Sequence, residues 1–331
     1  MSINCFEEAP KPIYDFLLYM STVKNKSQNT VNEYYLDLRT FFRYLKKVRG
    51  LVSDDVEFSD IRISDIDLDL IKTVTLDDAY KFMLYLQQER KNSPVTRSRK
   101  VSSLHSFFKY LTNRQMVLDF NPMESLEQPK SGKRLPKYLT LEECYALLNA
   151  VEGPYKERDY CILILFLNCG MRLSELCSIN YNSIKDGQLR IIGKGNKERK
   201  IYLNQACLDA IEAYMKVRPV DGLKDKYALF ISRHNNRLSP KSVQAMVNKY
   251  LNKIGLGGQG YSVHKLRHTA ATLMYQHGGV DIRILKEILG HENLGTTEIY
   301  THLSNSQMEN AINSNPLANA KMTDKEKEQE E

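Results

Sequence analysis

The chain has 331 residues, 42% of them hydrophobic and 26% charged, with a formal net charge of +7. That length supports two domains with a buried core each, and the balance excludes wholesale disorder. The longest apolar run, Cys161 to Leu167, falls far short of the roughly 18 residues of a membrane span and reads as a buried helix.

The N-terminus, Met1 to Glu8, lacks the basic-then-apolar pattern of a signal peptide, so the expected location is the cytoplasm. Cysteines stand at 5, 144, 161, 169, 177 and 207 without a C-x-x-C pair. They read as reduced, buried thiols rather than disulfides or zinc ligands.

In chain order, helices are predicted near 10–23, over 28–47 and near 76–90. Another opens at Ser93-Pro94, a cap followed by proline at the first helical position. The second carries Val31, Tyr35, Leu38, Phe42 and Leu45 at helical spacing. The last carries Val101, Leu104, Phe107, Phe108 and Leu111, with Arg97, Arg99, Lys100 and Lys109 near or on its other side. Together they predict a four-helix bundle with a basic face. The acidic patch Asp65-Ile66-Asp67-Leu68-Asp69 imitates a calcium loop. However, Leu70 and Leu76 stand where such a loop needs glycine and glutamate, so a solvated connector is expected.

A basic, breaker-rich stretch from Gln128 to Lys137 reads as an interdomain linker. Beyond it, Thr140-Leu141-Glu142-Glu143 is a capping box, and a long apolar helix ends near Gly170. Strands are predicted at 188–193 and 198–203, with a shorter one at 228–232. Further helices start at Ser239-Pro240 and Asp281. The expected fold is mostly α: a four-helix domain over 1–127, a linker over 128–137, and a mainly helical domain with a small antiparallel β-sheet over 138–316. A polar disordered tail is expected over 317–331.

Five stretches of the second half gather basic residues near glycines: Gly170 to Leu176, Gly193 to Arg199, His264 to His268, Leu289 to Glu292, and Ile299 to His302. Singly each has a bland reading. Arg172 pairs with Glu175 along a helix, the Lys194 stretch is a hairpin with exposed cations, and Tyr300 is one of 20 tyrosines. As an ordered set, Arg172, Lys194, His264-x-x-Arg267, His291 and Tyr300 resemble the signature of the tyrosine recombinase (phage integrase) family. The likeness is strongest to its Xer-like branch and related mobile-element integrases. His291 and Tyr300 stand the family's usual nine residues apart, and the likeness runs from about residue 10 to 315.

The resemblance implies a site-specific DNA recombinase that cuts and rejoins DNA through a 3′-phosphotyrosine on Tyr300, without metal, ATP or other cofactor. The chemistry agrees. Attack on a phosphodiester builds charge on non-bridging oxygens, which Arg172 and Arg267 would grip with paired donors. The phenol must lose a proton, and His264 has the titration range to accept it. Lys194 resembles the family's general acid for the leaving 5′ oxygen. His291 would donate to a phosphate oxygen, and Glu175 would orient neighbouring cations.

The implied partners are double-stranded DNA carrying a recombination site and three further subunits, in a homo- or hetero-tetramer joined by the segment from Ser304 to Asn315. The two domains would close on DNA as a clamp, with helices 28–47 and 94–111 toward the major groove. Arg97, Arg99, Lys100, Lys130, Lys133 and Arg134 are the expected DNA-binding residues, with most affinity coming from phosphate contacts. The core-binding pattern starts near residue 10, with no room for an added arm-binding domain, which favours Xer-like resolution of chromosome or plasmid dimers. The alternatives are a short mobile-element integrase, a type IB topoisomerase, and a DNA-binding regulator that has lost catalysis. All six active-site positions are filled, which speaks against the last.

Overall fold

The computed structural model describes residues 8–129, 137–192, 198–278 and 280–290. The chain divides into two compact units, Met1–Lys133 and Arg134–Glu331.

Among its described residues the first unit holds five helices: α1 (Lys11–Thr22), α2 (Gln28–Val48), α3 (Leu68–Lys72), α4 (Leu76–Gln88) and α5 (Pro94–Asn113). Ser27, Thr75 and Ser93 cap α2, α4 and α5 by accepting from backbone N–H groups one turn on. The apolar stripes of α2 and α5 are all buried. Their rings meet edge-on with those of α1 and α4. Phe16–Phe107 and Phe41–Phe82, for example, have centroids 5.4 and 5.2 Å apart.

The stretch expected to be a solvated connector is packed instead. Ile61, Ile63, Ile66 and Ile71 are buried, Asp67 caps α3, and Asp65 pairs with Lys46 at 2.7 Å. Its acids face outward between isoleucines buried at intervals of two to five residues, so composition alone made it look like loop. No group of potential metal ligands occurs among the described residues.

The second unit contains α6 (Leu141–Asn149), α7 (Lys156–Cys169), α8 (Leu173–Ser178), a 3₁₀ turn, and strands β1 (Ile184–Lys185), β2 (Gln188–Ile192) and β3 (Glu198–Tyr202). Helices α9 (Gln205–Val217), α10 (Pro240–Lys253), α11 (Val263–Gly278) and α12 (Ile282–Leu289) follow. Helix α7 is apolar nearly all round because it runs through the core, packed on α9 and α11. The sheet is antiparallel in the order β1-β2-β3, with Gln188 opposite Tyr202 and Ile192 opposite Glu198.

The strand expected at 228–232 forms only isolated bridges, Asn180 with Ala228 and Ile231 with Arg237. Arginine side chains take carbonyls that a ladder would use: Arg218 donates to Ala228 O at 2.6 Å and to Leu229 O at 3.1 Å. The two-residue β1, too short to leave a period-two pattern, completes the sheet instead. Cys144, Cys161, Cys169, Cys177 and Cys207 are free and buried. Cys5 lies outside the described residues.

Two cations of α5, Arg99 and Lys100, converge on one buried acid. Asp37 of α2 is 1% exposed. It accepts from Arg99 at 2.6 Å, Lys100 at 2.9 Å and Ser103 at 2.7 Å. Removing it strands a buried ammonium. Asp37→Ala is therefore expected to cost the N-terminal unit about 3–5 kcal/mol, read as a lowered denaturation midpoint of the full chain. An unchanged midpoint would contradict it.

Candidate active site

Helix α7 stops at Gly170, whose φ of +56° is left-handed. A side chain there would also meet Leu289 Cδ2 at 2.8 Å, so only glycine serves. The turn places Arg172 at the cap of α8. Glu175, one turn on, reaches back to accept from the Arg172 backbone N–H at 2.7 Å. Further along the chain, α12 stops at Gly290, also left-handed at φ +64°. A side chain at Gly290 would strike the Arg199 guanidinium.

Three guanidiniums meet between these turns. Arg172 donates to Glu175 Oε1 at 2.7 Å and to Gly290 O at 2.8 Å. Arg267, on α11 and 3% exposed, donates to Gly170 O at 2.8 Å and Leu289 O at 2.7 Å. Arg199, on β3, donates to Glu175 Oε2 at 2.9 Å and also to Leu289 O. Glu175, 2% exposed, is paired to two of them, the one carboxylate among the described residues to do so.

A cleft of about 420 Å³ opens over this cluster, lined by Arg172, His264 and Arg267 with Ser174, Gln244 and Ser262. Partial burial of its ring, then the charges of Arg267, Lys265 and Arg172, hold His264 below the usual 6.5. Its ring meets His268 edge-on at 4.7 Å. Burial likewise lowers the Arg199 pKa. The cleft is thus a concave, cationic surface with a largely neutral imidazole at neutral pH. Chemically it suits an anion with several oxygens and a group that must give up a proton.

Of the predicted site residues, the structure brings together Arg172, Glu175, His264 and Arg267. Lys194, His291 and Tyr300 lie outside the described residues, as do Lys130, Lys133 and Arg134. Within the first unit, Arg97 donates to Gln87, Arg99 pairs with Glu33 and Asp37, and Lys100 sits in its ion pair with a side chain 10% exposed. Sequence reasoning missed Arg199. Its signal was the strand alternation that sets it on the same face as Ile201 and Leu203, both buried.

The profile of the "Phage integrase family" matches residues 137–307, and that of the "Phage integrase, N-terminal SAM-like domain" matches residues 13–65. A tyrosine recombinase XerC of Caldanaerobacter subterraneus subsp. tengcongensis is 55% identical over 309 residues, 93% of this chain and 88% of that protein. A tyrosine recombinase XerC of Alcanivorax borkumensis is 36% identical over 294 residues, 87% of this chain and 88% of that protein. The solved structure of XerH site-specific recombinase bound to difH substrate shares the fold, with a TM-score of 0.66 and 22% identity over 90% of this chain and 83% of that one.

The chain belongs to the phage integrase family of tyrosine recombinases, enzymes that cleave and rejoin DNA. Within it, the XerC likeness puts the chain in the Xer-like branch of site-specific recombinases.

The His264 environment has a pH consequence. The folded ring gives up its proton at lower pH than the unfolded chain, whose ordinary value is 6.5. Its contribution to stability is complete above that value and is lost as pH falls through the folded pKa. Denaturation at pH 7 and pH 5 should show a loss for the native chain that is smaller in His264→Gln. Equal losses would refute the assignment.

Proposed function

We propose that this enzyme resolves chromosome or plasmid dimers in the Xer manner, breaking each DNA strand by attack of Tyr300 on one phosphodiester. The observation that carries the reading is the convergence of Arg172, Arg267 and His264 on one cleft. Two permanently charged planar donors face the place where a pentavalent phosphate gains negative charge. A histidine held neutral sits beside them to take the phenol's proton. Lys194 protonates the leaving 5′ oxygen, and His291 donates to a phosphate oxygen. The phosphotyrosine keeps the energy of the broken bond, and a 5′ hydroxyl from another strand reverses the step. We assign residues 1–127 to the core DNA-binding domain, 128–137 to the linker and 138–316 to the catalytic domain.

The partner is double-stranded DNA. The XerH structure is described as a pre-cleavage complex with difH, and a lambda integrase dimer is described as bound to a core site. Arg97, Arg99, Lys130, Lys133 and Arg134 are assigned to the DNA backbone. Lys100, committed to Asp37, supports that face from beneath. The dimer-resolution role rests on the 55% identity to a XerC recombinase, where a mobile-element integrase was the other option.

Incubation with a nicked suicide substrate carrying the target site should give a protein–DNA adduct on a denaturing gel. The adduct is expected to vanish in Tyr300→Phe, to persist in chelator, and to form about 10²–10³-fold more slowly in Arg172→Ala or Arg267→Ala. An adduct that survives Tyr300→Phe removes the nucleophile.

The active assembly is a tetramer on two sites, linked by the segment from Ser304 to Asn315 docking on a neighbour. Truncation after residue 303 should leave DNA binding intact and abolish the four-subunit complex in sedimentation. Undiminished synapsis would show that the segment serves its own subunit.

A further inference from the structure

Arg199 belongs to none of the catalytic roles assigned above, yet it touches both halves of the site. Its guanidinium shares Glu175 Oε2 with the Arg172 backbone N–H, at 2.9 and 2.7 Å. Its other terminal nitrogen takes Leu289 O, the carbonyl that Arg267 also holds. The side chain is 15% exposed, and its Nε is buried with no hydrogen-bond partner among the described residues. A surface cation would not be buried at that cost for two contacts.

We infer that Arg199 is a positioning residue for Arg172, whose guanidinium it relieves of its carboxylate and keeps aimed at the phosphate. Alone, Arg172 and Glu175 form a neutral pair, 2.7 Å apart, and the carboxylate competes with any phosphate for the guanidinium. With Arg199 on the second carboxylate oxygen, the single negative charge is divided between two cations, and the trio carries a net +1. Geometry adds to this. Arg199 ties β3 to α8 through Glu175 and to the end of α12 through Leu289. The Gly290 carbonyl that receives Arg172 therefore stays in register with the carboxylate.

The inference rests on the recombinase reading, and a double-mutant cycle in the full-length protein tests it. Single-turnover adduct formation is measured at saturating suicide substrate, together with DNA affinity. The variants are Arg199→Met, Arg199→Lys, Arg172→Ala and the pair Arg172→Ala/Arg199→Met. Arg199→Met should slow adduct formation about 10–100-fold with DNA affinity unchanged. Arg199→Lys, which keeps the charge but not the fork, should recover part of the rate.

The double variant should be no slower than Arg172→Ala alone, because Arg199 acts only through Arg172. A further tenfold loss in the double variant, or a wild-type rate in Arg199→Met, overturns the inference. Should Arg199→Met fail to fold, Arg172→Ala/Arg199→Lys completes the cycle with the same criterion. A wild-type rate in Arg172→Ala would instead sink the recombinase assignment itself.

Discussion

The catalytic unit is organised around one imbalance of charge. A single buried carboxylate, Glu175, stands against Arg172 and Arg199, with Arg267 held on main-chain carbonyls nearby. A buried carboxylate of this kind is tolerable only when every lone pair that matters is met, and Glu175 meets that condition with three donors at 2.7–2.9 Å. The surplus positive charge is then available to the cleft. The same contacts that make the core electrically acceptable make its surface attractive to an anion.

Backbone turns carry out the positioning. Gly170 and Gly290 both adopt left-handed conformations, at φ +56° and +64°. Each ends its helix in a conformation that side chains rarely adopt. The carbonyls exposed by those endings, of Gly170, Leu289 and Gly290, are what the guanidiniums hold. Helix ends leave acceptors without intrahelical partners, and here arginines satisfy them while pointing the rest of their forks elsewhere. The placement of Arg267 thus depends on where α7 and α12 stop, residues far from it in sequence.

Much of this was legible beforehand, for physical reasons that also explain what was not. Helices α2 and α5 announced themselves through apolar stripes and α7 through a continuous apolar run, because burial on one side or on all sides leaves that pattern in the sequence. The pairing of β2 with β3 showed in alternation. The segment from Ile61 to Ile71 did not, since short packed stretches separated by outward acids mimic loop composition. Ala228 to Ser232 looked like a strand by its residues, but a strand also needs free main-chain groups, and Arg218 had taken them. The grouping of Arg172, Glu175, His264 and Arg267 was legible only as an ordered set matching a family. Arg199 was hidden because a charged residue beside lysines reads as surface, and only its strand face pointed inward.

Preorganisation follows from how the arginines are held. A guanidinium fixed on main-chain carbonyls and a buried carboxylate has lost its rotamer freedom before substrate arrives, so that entropy is not charged against the transition state. The same low-dielectric surroundings that push His264 toward its neutral form strengthen every contact to a bound phosphate. In the proposed mechanism, base and grip are therefore two outcomes of one environment. A cleft that crowds cations around a partly buried imidazole cannot raise the affinity for phosphate without also lowering the histidine pKa. For the proposed attack, which needs both a phosphate held tightly and a phenol deprotonated, that coupling lets one arrangement of arginines serve both needs.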